Sequence, residues 1–367
     1  MVANNLARNG KNTRLVSEIC QHPGPFLSVY LDVRRDVEEA VHQLNVRWRS
    51  SREELLRQGA PPDLVETVGD RILAEQHASG AAARMVVAAD GRILMDDVVT
   101  VPGDHQALTW GPLPDLTGWL ADRNAMLPLL VVLADREGAE FERYEAWPET
   151  PKATASVQGE TEHLTKVAVG GWSHKRYQRR AENVWHRNAE QVVTEIEEQV
   201  GAGVRIVALA GDVRAQREIH QSVSERTRAL LVDLESGSRA AGASREALDH
   251  AVDQAIRNVV ITDHLEAIRE LEQEAGRQGA AAIGLDDVLP KLVQGQVRTV
   301  FITPDTAAAR TVRPGGHPGI PLPKGALEQD AVRADLAVLC AAVATDAEVL
   351  VGPWKFSDDG VAAILRW

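Results

Sequence analysis

The residues best suited to chemistry stand in one short stretch, AVGGWSHKRYQRR, at positions 168–180. Two glycines meet a tryptophan, and a serine, a histidine and a dense cationic run follow. Residues 172–187 hold five Lys and Arg residues against one Glu, whereas the whole chain carries a net charge of −13. The residues of this stretch that we predict to bind a ligand are Gly170, Gly171, Trp172, Ser173, His174, Lys175, Arg176, Arg179 and Arg180.

The cationic run opens a predicted helix over 173–200, where it opposes helix stability. Positive charge near a helix N-terminus opposes the macrodipole, and like charges four residues apart repel. A bound anion would reverse both penalties, because free backbone N–H groups and Arg side chains both favour phosphate. Gly170 and Gly171 allow close backbone approach, and Trp172 offers a surface for stacking worth about 1–3 kcal/mol per base. The pattern predicts an RNA contact; a solvated charged face with a core-anchoring Trp is the alternative.

Length and composition indicate a multidomain protein of ordinary globular type. A chain of 367 residues predicts two or three domains, and 44% hydrophobic with 25% charged residues is typical of globular proteins. The negative net charge argues against general nucleic-acid coating. No run of eighteen apolar residues and no signal-peptide core occur, so we expect a cytoplasmic protein with no membrane contact. Cys20 and Cys340 fit a reducing compartment as small buried residues.

The elements that must position the cationic stretch follow an α/β pattern. Apolar periodicity predicts boundaries near residues 127 and 258, with strand, helix, strand, helix between them, which favours a partly parallel sheet. Asp90-Gly91 predicts a hairpin turn. Residues 148–160 are predicted as a polar loop, and 313–325 as an irregular Pro/Gly loop. Helices are predicted at 36–59, 213–227, 244–276 with a possible interruption near 260, 285–293 and 328–344; strands are predicted at 26–34, 161–169, 203–212, 229–234, 299–303, 348–352 and 361–367.

Other patterns do not favour an enzyme site. No HExxH, GxSxG or GxxxxGK[ST] element occurs, so zinc-protease, serine-hydrolase and P-loop chemistry are not expected. The carboxylate pairs Asp96-Asp97, Asp286-Asp287 and Asp358-Asp359 are interpreted as solvated charges. Asp286 and Asp287 are predicted in the first turn of a helix, where they favour the macrodipole. Asp135 and Asp212, near strand ends, are the plausible members of a nuclease cluster. We expect no metal and no cofactor.

The stretch GGWSHKRYQRRAENVWHRNAE resembles the Gly-Gly-Gln loop and following helix of the archaeal and eukaryotic peptide-release factors. The matching residues are Gly170, Gly171, Ser173, Arg176, Tyr177, Arg179, Ala189 and Glu190. The later stretch AAIGLDDVLPKLVQGQVRTVFIT is similar to the start of the third domain of those factors and of Pelota. Together they resemble the bacterial branch of the superfamily, and within it the actinobacterial relatives of the hibernation factor Balon.

The resemblance implies three domains and a ribosomal partner. The expected domains are an N-terminal α/β domain at 1–127, an RNase-H-like middle domain at 128–258, and a C-terminal α/β/α domain of the kink-turn-binding ribosomal protein type at 259–367. Family members bind the ribosomal A site, so the expected partners are the 70S ribosome, its RNA near the peptidyl-transferase centre, and an elongation factor Tu-type GTPase. The expected role is ribosome hibernation during stress or dormancy.

Trp172 departs from the release-factor pattern, which has Gln at this position. An indole has one N–H donor and no acceptor, so it cannot replace an amide that positions the attacking water. No Asn-Ile-Lys-Ser stop-codon motif occurs in residues 1–127. We therefore expect binding without catalysis; peptidyl-tRNA hydrolysis in ribosome rescue is the alternative.

Overall fold

A computed structural model describes residues 10–34, 39–75, 81–100, 102–135, 138–149, 151–158, 188–235, 245–277 and 279–367. Its contacts divide the chain into two compact units. One unit combines residues 1–125 with residues 262–367, and we call it the split unit; the other, the middle unit, holds residues 126–261. The α/β class is confirmed, and the three-domain division predicted from the sequence stays a prediction.

The N-terminal part of the split unit is an antiparallel sheet with helices on it. Strand order is β3-β2-β1-β4. Leu27, Val29 and Leu31 of β1 point to one face, where they form a core with two amphipathic helices, α2 and α3. Asp90 and Gly91 both have positive φ (48° and 73°), so the predicted hairpin turn is confirmed. The elements are α1 (Gly10–Cys20), β1 (Phe26–Asp32), α2 (Ala40–Arg57), α3 (Pro62–Leu73), β2 (Ala83–Ala89), β3 (Arg92–Val99), β4 (Ala107–Gly111) and α4 (Thr117–Ala125).

The C-terminal part of the split unit is a mixed sheet of order β10-β15-β11-β14. Strand β11 pairs in parallel with β14 and antiparallel with β15. Helix α12 is buried over most of its length. The elements are β10 (Ala281–Ile283), α9 (Leu285–Val293), β11 (Val297–Ile302), α10 (Pro304–Ala308), β12 (Thr311–Val312), a 3-10 turn (Pro314–Gly316), α11 (Lys324–Leu327), β13 (Val332–Arg333), α12 (Ala334–Ala344), β14 (Glu348–Val351) and β15 (Val361–Leu365).

The two parts of the split unit pack directly on each other. Helix α1 packs against α12, and α4 packs against β14. The Asn124 side chain donates to the Val349 carbonyl at 3.2 Å, which satisfies an acceptor of β14. Arg333 pairs with Asp115 at 2.6 Å across 218 residues of sequence. Cys20 and Cys340, the two cysteines of the chain, meet here as hydrogen-bonded free thiols.

The middle unit is a five-stranded sheet covered on both faces. Its order is β7-β6-β5-β8-β9, in which β5, β8 and β9 are parallel and β6 is antiparallel to both β5 and β7. Helix α8 packs on one face, and helices α5 and α6 pack on the other. The elements are β5 (Leu129–Ala134), β6 (Gly138–Tyr144), β7 (Ala153–Gln158), α5 (188–201), β8 (Ile206–Gly211), α6 (Val213–Ser222), α7 (Glu225–Arg228), β9 (Leu231–Asp233) and α8 (Arg245–Gly276). Residues 245–261 of α8 belong to the middle unit, and its remaining residues belong to the split unit.

Four sequence predictions that concern helices or strands were wrong. The polar loop at 148–160 contains strand β7, which pairs with β6 from Ala153 to Gln158. The helix at 213–227 breaks at Val223 into α6 and α7, because Ser224 caps a new helix start. Helix α8 runs without the interruption expected near 260. The helix at 328–344 begins only at Ala334, after a short strand.

Candidate functional site

The predicted ligand-binding residues all lie outside the described residues. Gly170, Gly171, Trp172, Ser173, His174, Lys175, Arg176, Arg179 and Arg180 belong to the segment 159–187, which we call the Gly-Gly-Trp segment. The strand predicted at 161–169 and the first half of the helix predicted at 173–200 lie in the same segment. Strand β7 precedes this segment directly, and helix α5 follows it directly.

The strand that leads into the Gly-Gly-Trp segment ends at a defined edge of the middle-unit sheet. Gln158, the last residue of β7, pairs with Gly138 at the start of β6. The Gly138 carbonyl accepts from the Asp135 N–H at 2.9 Å, directly after β5. The Gly-Gly-Trp segment therefore leaves the sheet where the parallel strands β5 and β8 also end.

Both flanks of the segment are anchored in one hydrophobic core. Val157 of β7 packs on the same cluster as Val192 and Ile196 of α5, which are 2% and 0% exposed. Val132 and Phe141 of the sheet complete the contact. The helix predicted over 173–200 is confirmed over its described part, and most of the apolar residues of that part are buried. A core shared by both flanks fixes the two ends of the intervening segment to one rigid body.

The plausible nuclease carboxylates, Asp135 and Asp212, follow neighbouring parallel strands. The Asp212 N–H donates to the Ala134 carbonyl at 2.9 Å. The Asp212 side chain caps α6 by accepting from the N–H groups of Arg214 (2.9 Å) and Ala215 (3.2 Å). Asp135 accepts from the Gly138 N–H at 3.0 Å. Within the described ranges no group of three His, Cys, Asp or Glu residues could hold a metal ion. Both carboxylates therefore serve as backbone caps.

Gly211 brings the ends of β5 and β8 together. Its φ is +118°, and a Cβ atom built on it would lie 1.9 Å from the Ala134 carbonyl oxygen. Only glycine tolerates both the backbone conformation and the approach. The Gly-Asp pair at the end of the predicted strand was the available sequence signal for this close approach. Spacing alone does not distinguish such a pair from an ordinary strand end.

Helix α5 turns acidic immediately after the cationic run. Four glutamates, Glu190, Glu195, Glu197 and Glu198, lie within its described part. Glu197 accepts from the Ser224 N–H at 2.7 Å and from the Thr227 hydroxyl at 2.6 Å. Burial alone would raise the pKa of Glu197, but these hydrogen bonds outweigh it and lower the pKa below its ordinary value. These hydrogen bonds tie the helix to α7.

Two of the three carboxylate pairs depart from the sequence prediction. Asp96 and Asp97 point to opposite sides of β3, as strand geometry requires. They are not simply solvated, because Asp96 binds Arg84 and Asp97 binds Trp119 Nε1 (2.7 Å) and Arg123 (2.8 Å).

The other two pairs differ from each other. Asp286 and Asp287 are exposed in the first turn of α9, as predicted. Asp359, in contrast, caps α9 by accepting from the Leu285 N–H at 2.7 Å, which the sequence prediction missed. Asp96, Asp97 and Asp359 therefore have structural contacts, whereas Asp286 and Asp287 are exposed.

The described helices include none that is long and apolar enough to span a membrane.

Similar proteins extend over nearly the whole chain. An uncharacterized protein of Mycobacterium tuberculosis, Rv2629 in strain H37Rv, is 24% identical over 360 residues, which cover 94% of each chain. Among solved structures, the chain is similar to Archaeoglobus fulgidus Pelota, with 13% identity, a TM-score of 0.36 and coverage of 80% of this chain and 81% of that one. It is also similar to Saccharomyces cerevisiae Dom34, described as a translation termination-like factor that interacts with Hbs1, with 8% identity, a TM-score of 0.39 and coverage of 78% and 79%.

The family comparison falls on the middle of the chain. Residues 128–277 match the sequence model of bacterial archaeo-eukaryotic release factor family 2. This range contains the middle-unit sheet, the Gly-Gly-Trp segment and helix α8. The middle of the chain, which holds the Gly-Gly-Trp segment, is therefore similar to this release-factor-like family.

Proposed function

We propose that the protein occupies the A site of idle ribosomes, with the Gly-Gly-Trp segment directed to the peptidyl-transferase centre. The single observation that carries this proposal is the release-factor family match, which encloses the Gly-Gly-Trp segment. In this proposal Trp172, Lys175, Arg176, Arg179 and Arg180 contact ribosomal RNA. Gly170 and Gly171 shape the loop, and Ser173 and His174 contact RNA beside them.

The rigid base of the segment supports a role in binding. A loop that enters a narrow RNA-lined channel must be held at both ends, and Val157 and Val192 belong to one core. The acidic face of α5 then limits RNA contact to the tip, because like charges repel phosphate. The proposed role is hibernation, in which the factor shields the catalytic and decoding centres during stress or dormancy.

The domain types expected from the resemblance belong to the same proposal. In the middle unit, β6 and β7 lie on one side of β5, each antiparallel to its neighbour, and the parallel strands β8 and β9 lie on the other side. This arrangement supports an RNase-H-like domain. We propose a kink-turn-binding protein type for residues 259–367, with an elongation factor Tu-type GTPase or the stalk base as its contact. A ribosomal partner would place the protein in the cytoplasm.

Co-sedimentation with 70S ribosomes across a salt series tests the proposal. Phosphate-driven binding should weaken steeply as salt rises. The logarithm of the binding constant should fall against the logarithm of the salt concentration with a slope of about 0.7 for each Lys or Arg that contacts a phosphate. The double variant R179E/R180E should lose binding. The matched control is R49E/R92E, because both of these arginines are exposed and lie in the N-terminal part of the chain. Unchanged sedimentation of R179E/R180E would refute the site assignment.

A release assay separates hibernation from the alternative, peptidyl-tRNA hydrolysis in rescue. Purified protein is incubated with stalled ribosomes that carry peptidyl-tRNA, and free peptide is measured. We expect no release from the wild-type protein, because the Trp172 indole offers no acceptor to the attacking water. Peptide release that disappears on changing Trp172 or Gly171 would replace hibernation with rescue.

A further inference from the structure

A second stretch of the chain lacks acidic residues. No Asp or Glu occurs between Asp305 and Glu328, although the chain has 53 acidic residues. The interval contains Arg310, Arg313 and Lys324. The Gly-Gly-Trp segment holds a comparable interval, between Glu162 and Glu182. In a chain with a net charge of −13, a long acid-free interval removes the repulsion that phosphate would otherwise meet.

The centre of this stretch, residues 313–325, has a fixed conformation, and we call it the Gly-Pro corner. Gly316 N–H donates to the Arg313 carbonyl at 2.9 Å, and His317 N–H donates to the Pro314 carbonyl at 3.0 Å. Pro314 and Ile320 are buried beneath the turn. The loop predicted from the sequence as irregular is therefore a hydrogen-bonded turn with an apolar underside.

The corner is attached to the split unit at both ends. The Gly325 N–H donates to the Pro23 carbonyl at 2.9 Å, and a Cβ atom on Gly325 would lie 2.8 Å from the same oxygen. Before the corner, β12 pairs with β13 through Thr311 and Arg333. Because both ends are held, the corner can present its outer groups without a large ordering cost.

The outer groups of the corner are cations and open backbone. Arg313 is exposed and has no ion-pair partner within the part of the chain that the structure describes. Lys324 is 78% exposed, and its nearest carboxylate, Glu328, is 4.0 Å away. Helix α11, which begins at Lys324, contacts the 3-10 turn that follows Arg313. A Cβ atom on Gly315 or Gly316 would meet nothing within 4 Å, so the backbone there is open to a ligand.

We propose that the Gly-Pro corner is a second RNA contact, made to the phosphodiester backbone of ribosomal RNA by Arg313 and Lys324. The inference rests on the proposed ribosomal function. The apolar residues Pro314, Ile320 and Leu322 are buried, so the corner offers point charges and backbone groups, which suit phosphate. Glycine at 315 and 316 permits the close backbone approach that phosphate contacts use.

Ribosome co-sedimentation of the double variant R313E/K324E tests the second contact. Two lost phosphate contacts should make the salt slope shallower by about 1.4, and binding at moderate salt should weaken by at least about tenfold. R49E/R92E serves as the control, since it makes the same change of charge at exposed arginines outside the corner. Thermal melting of both variants checks that they remain folded.

The outcomes separate the second contact from the proposed function. If wild-type protein does not sediment with ribosomes, both are overturned. A second outcome is that the wild type sediments with ribosomes, R179E/R180E does not, and R313E/K324E binds as tightly as R49E/R92E. In that case the A-site proposal stands and the second contact is overturned.

Crosslinking identifies the partner of the corner. Pro318, an exposed residue of the corner, is replaced by a photoreactive phenylalanine analogue in the otherwise wild-type protein. Its complex with the 70S ribosome is then irradiated. We expect adducts that RNase removes. Adducts on an acidic ribosomal protein alone would overturn the assignment to RNA.

Discussion

Asp122 illustrates how single residues of this protein hold charge inside the fold. Its carboxylate is 6% exposed and accepts from the Tyr30 hydroxyl at 2.7 Å. Burial raises the pKa of Asp122 above its ordinary value, although hydrogen bonds from Tyr30 and the Gly103 N–H partly oppose the shift. Burial also raises the pKa of Tyr30, so the hydroxyl remains the donor. The pair joins β1 to α4 through one buried hydrogen bond.

The raised pKa of Asp122 predicts a pH dependence of stability. Because the folded state binds this proton more tightly than the unfolded state, Asp122 becomes more favourable to folding as the pH falls from neutral towards its unfolded pKa of about 3.9. Asp122→Asn removes this dependence and leaves one mismatched hydrogen bond with Gly103, at a cost of about 1–3 kcal/mol. The stability of the variant should therefore be nearest to that of the wild type at pH 7 and furthest below it near pH 4.

Urea unfolding at a series of pH values measures this difference. Asp70→Asn, a change on the exposed face of α3, is the control and should run parallel to the wild type. A difference between Asp122→Asn and the wild type that stays constant from pH 4 to pH 7 would contradict the assignment.

The environment of a side chain could be predicted from the sequence only where its neighbours in the chain determine that environment. Asp286 and Asp287 were placed correctly in a first helical turn, because capping and dipole effects are local. The partners of Asp97 and Asp359 come from other elements, and no local pattern reports them. Cys20 and Cys340 were correctly predicted to be buried, but their meeting depends on how α1 packs against α12.

At the scale of elements, strong local signals were enough and weak ones were not. Helix α9 was predicted with its observed bounds, since apolar spacing and Gly295 both define it. The first hairpin followed from Asp90-Gly91. Strand β7 was missed because the alternating apolar positions of its sequence, ATASVQ, hold only two alanines and one valine. It also lies at the edge of the sheet, with most of its residues exposed. Pairing with β6, a tertiary effect, makes it a strand.

The junction of β5 and β8 gives a prediction for elements. Gly211→Ala should destabilise the middle unit strongly, because the added methyl group would overlap the Ala134 carbonyl and φ is +118°. Gly203→Ala is the matched control: its φ is +100°, but a Cβ atom there meets nothing within 4 Å. The control should lose about 1 kcal/mol from backbone strain alone, and Gly211→Ala should lose several times more. If chemical denaturation showed equal losses of unfolding free energy for the two variants, the close approach at Gly211 would contribute nothing to the difference in stability.

At the scale of the whole molecule, the split unit was the feature that sequence could not supply. Apolar periodicity locates helices and strands, but it does not say that residues 1–125 share a unit with residues 262–367. The contacts that join them are α1 on α12, α4 on β14 and the pair Arg333–Asp115, each between residues far apart in the chain. The first and last segments of the chain therefore share one compact unit.

Arg333 tests whether the two segments unfold as one. Its guanidinium binds Asp115 at 2.6 Å and Asp335 at 2.6 Å, and these carboxylates are 7% and 1% exposed. Arg333→Met leaves two buried carboxylates without their cation, which should lower the free energy of unfolding by about 3 kcal/mol. This value is at the lower end of what breaking a buried ion pair costs, because Arg333 itself is 37% exposed. Arg298→Met, which frees the more exposed Glu270, should cost no more than about 1 kcal/mol. Hydrogen exchange should show α1 and α12 losing protection together in Arg333→Met while α5 keeps its own; loss confined to α12 would mean that the two segments are not one cooperative unit.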